Sequence, residues 1–165
     1  MRRQFFICAK QNRAAAKQSC RALSEGKVQQ LPVKQHRTKT TNRYFNYIYV
    51  RMGAHTLIHK RTEDDIWKNL FELPLVETEK DLSEEEFLAC PQFHALFAEG
   101  EVRMVRTLLR GVKHVLSHRV IYTNFYEVTL PDNSSSFSSY QRVAVEDLGR
   151  YAVPRLIHAF LEKYV

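Results

Sequence analysis

His114-Val115-Leu116-Ser117-His118 lies where two runs of strand character meet, Met104 to Leu116 and Arg119 to Leu130. In the second run Val120, Tyr122, Asn124 and Tyr126 alternate with Ile121, Thr123, Phe125 and Glu127, which is the two-residue period of a strand. The Leu-Ser-His segment is therefore the turn between two strands. Upstream, the aromatic and β-branched run from Tyr44 to Arg51, the turn Met52-Gly53-Ala54 and the run from His55 to Arg61 read as a hairpin. Ser83-Glu84-Glu85-Glu86 reads as a capping box opening a short helix with Phe87 and Leu88, and a second short helix is expected around Phe93 to Phe97. Pro131 to Ser136 is a polar loop tip and Tyr140 to Ala144 a further strand. Pro154 suits the first position of a closing helix whose apolar stripe is Leu156, Ile157, Phe160, Leu161 and Tyr164. Strands with helices interspersed predict an α+β domain with a mixed or antiparallel sheet.

A chain of 165 residues supports one sizeable core, and no apolar run approaches the ~20 residues that span a bilayer. No membrane partner is expected. Lys10, Gln11, Asn12 and Arg13 interrupt the apolar start too early for a signal peptide, so the expected location is cytoplasmic. The net charge of +7 is uneven: residues 1–43 hold eleven Lys/Arg against one acidic residue, and residues 44–165 hold fourteen against seventeen. Lys34, Arg37, Lys39 and Arg43 are spaced along this basic leader as candidate DNA-backbone contacts, releasing counterions from phosphates. The other reading of such a run is a solvated, self-repelling linker. Ala14 to Leu23 can form a short helix, with Gly26 and Pro32 punctuating its end. Three cysteines give no disulfide framework.

The His114–His118 pentapeptide, the run Trp67-Lys68-Asn69-Leu70-Phe71-Glu72-Leu73-Pro74 and the leader ending in Leu31-Pro32-Val33-Lys34 together resemble one family. It is the C-terminal recognition domain of bacterial MutY-type adenine DNA glycosylases, and the resemblance runs from about Cys20 to the end. It implies a Nudix/MutT-like mixed sheet flanked by helices. It divides the chain into a leader and interdomain connector over 1–42, carrying a remnant of an iron–sulfur region near Cys20, and a recognition domain over 43–165. The implied partner is double-stranded DNA with 8-oxoguanine opposite adenine, in base excision repair. The helical domain that breaks the glycosidic bond is expected to be missing from this chain, and a separate catalytic domain is a candidate partner.

Within that resemblance Leu116, Ser117 and His118 are the lesion-recognition residues. Oxidation turns the guanine N7 acceptor into an N–H donor and adds an oxygen at C8. A serine hydroxyl can accept from that N–H while a neighbouring donor meets the oxygen. The family commonly has Phe where Leu116 stands, which leaves a wedge role open and stacking in doubt. Read without the resemblance, Ser117 and His118 are hairpin-turn residues that satisfy local backbone groups.

A Nudix hydrolase needs a signature glycine and a helix with an Arg-Glu-x-x-Glu-Glu cluster to hold Mg²⁺. The segment from Leu75 to Glu86 lacks both, so Glu84, Glu85 and Glu86 read as a helix start favoured by the macrodipole. Trp67, Leu70 and Phe71 read as core, and Glu63-Asp64-Asp65 as a solvated turn. His114 and His118 are four apart but sit on strand pattern with no third ligand, so no metal site is expected. Cys20 resembles the last of four [4Fe–4S] ligands, but Ala14, Gln11 and Gln4 occupy the other positions, Cys8 is off register and Cys90 stands apart. No cofactor is expected in this chain. Two competing readings remain: a free-standing Nudix-fold hydrolase of oxidised nucleotides, and a protein-interaction module built on the connector from Gln29 to Asn42.

Overall fold

The structure is a computed structural model that describes residues 21–28, 40–98, 100–134, 136–137 and 139–165. The chain divides into two compact units, 1–38 and 39–165. In the first, the helix expected over Ala14 to Leu23 lies mostly outside the described residues, which hold α1 (Arg21–Ser24), closing on Gly26 at φ +64.

In the second unit a four-stranded sheet has the order β4 (Leu75–Thr78), β1 (Thr41–Arg51), β6 (Arg119–Thr129), β5 (Met104–Val115). β1 and β6 run parallel and the other neighbours antiparallel, so the sheet is mixed. A smaller antiparallel sheet has the order β3 (Phe71–Glu72), β2 (His55–Lys60), β7 (Gln141–Ala144). The hairpin expected from Tyr44 to Arg61 is only a turn: Met52 and His55 exchange backbone bonds at 3.0 and 2.9 Å, and beyond them the two strands join different sheets. Gly53 makes that turn possible, at φ +56 with Asp132 Oδ1 only 2.9 Å from where a Cβ would stand.

Both faces of the large sheet are covered around Phe45 to Val50, which explains why β1 reads there as an apolar run. Phe45, Tyr47 and Tyr49 point with Ile121 and Phe125 into one core, against Ile58 and Val143 of the small sheet and Leu156, Ile157 and Phe160 of α4 (Arg155–Tyr164). Ile48, Val50, Tyr126 and Val128 point the other way, onto Phe87 of α2 (Glu84–Leu88) and Phe93 of α3 (Pro91–His94). The alternation in β6 therefore separates two buried faces, not an inside from an outside. Ring pairs fasten each side: Phe125 stacks on Phe160 at 4.1 Å and Tyr126 on Phe87 at 4.4 Å, contacts worth about 0.5–1.5 kcal/mol each beyond their burial.

Local signals resolve as they read. Ser83 Oγ accepts from Glu86 N–H at 3.1 Å while Glu86 Oε2 accepts from Ser83 N–H at 2.8 Å, the reciprocal capping box. Pro154 stands one residue earlier than expected, at the N-cap of α4. Trp67, Leu70 and Phe71 are half-buried, and the buried residues of that run are Glu72, Leu73 and Pro74. β5 carries register shifts between Thr107 and Val112, pinned where Gly111 N–H donates to Asn124 Oδ1 at 2.9 Å. Among the described residues no helix is long and apolar enough to cross a membrane.

Candidate nucleic-acid interface

The strands β5 and β6 meet at the Leu116-Ser117-His118 turn, closed by Leu116 N–H donating to the Arg119 carbonyl at 2.8 Å. The His118 carbonyl accepts from Thr41 N–H at 3.2 Å, so the turn is also tied to the start of β1. Leu116 is half-buried and packs on the core that α4 covers, which turns this side chain inward as an anchor. Ser117 and His118 are exposed, and neither side chain bonds a local backbone group. Among the described residues the Ser117 hydroxyl and the Ser117 and His118 amides make no hydrogen bond. A braced turn thus offers one hydroxyl and two N–H donors to an incoming group.

Behind the turn lies a charge network that the sequence does not announce. Asp65 is 22% exposed and accepts from Arg43 through one oxygen and from Arg119 through the other, with Arg61 Nη2 3.3 Å away. Burial works to raise its carboxyl, but the bonds from Arg119, Arg43 and the Ile66 amide overcome it and hold Asp65 well below the usual carboxylate range. Glu63 and Asp64 are exposed as expected, so the solvated-turn reading of 63–65 fails only at Asp65. Arg43, expected on the DNA backbone, grips Glu77 with Nε and Nη2 at 2.6 Å each in addition to Asp65. Its guanidinium is committed inside the protein, and a phosphate would have to displace two carboxylates.

Deeper still, Arg61 Nη1 donates to both oxygens of Glu72 at 2.7 and 2.8 Å, and Tyr47 OH donates to the same carboxylate at 2.9 Å. Burial raises the Glu72 carboxyl, while its bonds with His59, Arg61 and Tyr47 bring it below its ordinary value. Burial and the Glu72 charge push the Tyr47 phenol well up, so it stays a donor. Trp67, at φ +60, is held between Phe45 and His114, with ring centroids 6.2 and 5.8 Å away.

On the hairpin itself Arg103, Arg110 and Lys113 make no ion pair among the described residues, whereas Arg106 is paired with Glu127 and Arg119 with Asp65. From Val102 to Tyr126 there are five Lys/Arg, at 103, 106, 110, 113 and 119, and no acidic residue. Counting residues 44–165 as one acidic block averages this segregation away; a sliding charge count along the strands would have found it. Lys34, Arg37 and Lys39 lie outside the described residues.

The residues of α2 do not fit a divalent cation. Glu86 is spent on the capping box and on Lys80 at 3.2 Å, and among the described residues no three His, Cys, Asp or Glu side chains are grouped to hold a metal. Cys90 caps α3, its Sγ accepting from Phe93 N–H at 3.4 Å, while Cys8 and Cys20 lie outside the described residues.

The NUDIX domain matches residues 46–163, which hold most of the mixed sheet, the small second sheet and the short helices. The chain belongs to the NUDIX family. Among solved structures it is similar to the C-terminal domain of mouse MUTYH in complex with human PCNA, with a TM-score of 0.59 and 14% identity, over 74% of this chain and 86% of that one. It is also similar to a MutT from work on Aliivibrio salmonicida and Vibrio cholerae, with a TM-score of 0.51 and 16% identity over 74% and 95% of the two chains. The NUDIX domain of Shewanella oneidensis NrtR, complexed with ADP ribose, gives a TM-score of 0.51 and 13% identity over 84% and 94%. At such identities the likeness shows the fold alone. No curated protein matches the chain.

Proposed function

We propose that this domain reads 8-oxoguanine opposite adenine in double-stranded DNA, as the recognition part of a MutY-type adenine DNA glycosylase. The observation that carries the reading is the Leu116–His118 turn, whose backbone is braced on both sides while the Ser117 hydroxyl and two amides stay unbonded among the described residues. The lesion presents one new donor at N7 and one new acceptor at C8, and the turn offers the complementary acceptor and donors. Leu116, packed inward, fixes the height of the turn, and Lys34, Arg37 and Lys39 of the leader add sequence-independent phosphate contacts.

The test compares binding of the full chain to duplexes with 8-oxoguanine or guanine opposite adenine. Ser117→Ala removes the hydroxyl acceptor and is expected to cut the preference for the lesion by about two- to twelvefold, the worth of one hydrogen bond of about 0.5–1.5 kcal/mol. Binding to the undamaged duplex should be unchanged. A wild-type chain with no preference, or a preference indifferent to Ser117, overturns the reading. Magnesium-dependent release of phosphate from an oxidised nucleoside triphosphate would favour a Nudix hydrolase instead.

A further inference from the structure

α2 and α3 cover only part of their face of the large sheet. They pack on Tyr126 and Ile48, whereas Tyr122 and Tyr44, four residues nearer the turn and about 13 Å along the strands, lie beyond them. There the register sets Lys113, Tyr122, Tyr44 and Thr78 side by side across four strands. The tyrosine rings stack at 5.4 Å, tilted by only 17°, and Lys113 Nζ lies 5.9 Å from the Tyr122 centroid. The next row toward the turn is Val115, Val120 and Asn42. Tyr44, Tyr122, Val115 and Val120 belong to neither core, and Val115 is 65% exposed. Lys113 is exposed and makes no ion pair among the described residues. On the same side Arg110 donates to the Leu82 carbonyl, a neutral partner that leaves its charge uncompensated at that contact, although Asp81 and Glu84 stand near enough to affect Tyr126 beside it.

We propose that this bare end of the sheet face docks the sugar–phosphate backbone of a DNA strand running past the Leu116–His118 turn, with Lys113 as its phosphate contact. The chemistry selects that occupant. The exposed Val115 suits the sugar, phenol hydroxyls and an ammonium suit phosphate oxygens, and Lys113 and Arg110, neither of them in an ion pair among the described residues, give the surface the charge opposite to a nucleic acid. The stack takes one face of each ring and Lys113 lies over Tyr122, so the contacts assigned to the tyrosines are those of their hydroxyls with phosphate. The surface is continuous with the turn, because Val115 and Val120 flank it directly. The proposal rests on the reading that the turn meets DNA, and it adds where the strand runs.

Lys113→Gln, Val115→Glu, and Tyr44→Phe with Tyr122→Phe, which keeps the stack, are titrated as full-length chains against lesion and undamaged duplexes. Each is expected to weaken both duplexes alike and to leave the lesion preference intact. For Lys113→Gln the slope of log affinity against log salt should fall by about 0.9, so the loss of affinity between about 50 and 200 mM salt shrinks roughly threefold. Unchanged melting curves establish that the variants fold. If the slope and both affinities stay at wild-type values in Lys113→Gln and Val115→Glu, the surface is overturned while the lesion reading stands. If the wild type shows no lesion preference and Lys113→Gln still lowers the slope, the lesion reading falls and the surface stands. A chain that binds neither duplex overturns both.

Discussion

The 61–70 loop and the 116–118 turn lie at the same end of the large sheet and treat their polar groups in opposite ways. In the loop, Asp65 takes two arginines and the Arg61 side chain is 8% exposed with three hydrogen-bonding partners: Glu72, Ile66 and Asp65. In the turn, Ser117 and His118 face solvent with their side chains unbonded among the described residues. The contrast separates two jobs. Groups that hold the frame are satisfied internally, because an unpaired buried charge costs several kcal/mol, while Ser117 and His118 are left to water, the state that the proposed reading role requires. Arg119 joins the two regions, since it follows the turn directly and ends on Asp65.

The largest effect is therefore expected in the loop. Asp65→Ala leaves Arg43, at 18% exposure, and Arg119 without their shared carboxylate and unties the starts of β1 and β6 from the loop. Denaturant unfolding should show a loss of about 1–3 kcal/mol, below the full cost of breaking a buried pair because Arg119 is 37% exposed and Arg43 keeps Glu77. A loss under about 0.5 kcal/mol would mean that the network is surface decoration and that the contrast between the regions is empty.

Acid should dissect the same network more gently. Asp65 and Glu72 are held below their ordinary values of 3.8 and 4.5 in the folded state. The stability that they contribute is thus complete above those values and is lost as pH falls through them toward the lower folded values. The urea midpoint should stay flat down to about pH 5 and decline below it, and Asp65→Asn should make that decline shallower. An identical acid limb in the variant would place the titrating groups elsewhere.

Much of the frame was legible because it is written locally. The strands of 104–130, the Ser83–Glu86 capping box and the α4 stripe each depend on residues within a turn or two of one another. What escaped depends on distance. Asp65 meets Arg43 and Arg119 at separations of 22 and 54 residues, so its acidic run looked like any solvated turn. The strands around Gly53 read as one hairpin because nothing local says that β1 leaves to pair in parallel with β6, whose partner residues begin at Arg119. The Leu116–His118 turn was found through family resemblance; its own residues are ordinary turn formers, and only the fold distinguishes unbonded from satisfied.

The smallest effect sharpens the comparison from the other side. Ser117→Ala combined with His118→Ala removes two exposed side chains that bond nothing among the described residues, while the backbone bonds that brace the turn, from Leu116 N–H to Arg119 and from Thr41 N–H to the His118 carbonyl, persist. The unfolding free energy should stay within about 0.5 kcal/mol of wild type, the range of ordinary surface substitutions. The double variant differs from Asp65→Ala in that it should spare stability and lose only binding preference. If it instead unfolds at markedly lower denaturant, Ser117 and His118 are structural residues of the hairpin, the turn is as fully employed in the frame as the loop, and no group remains at this end of the sheet to read a lesion.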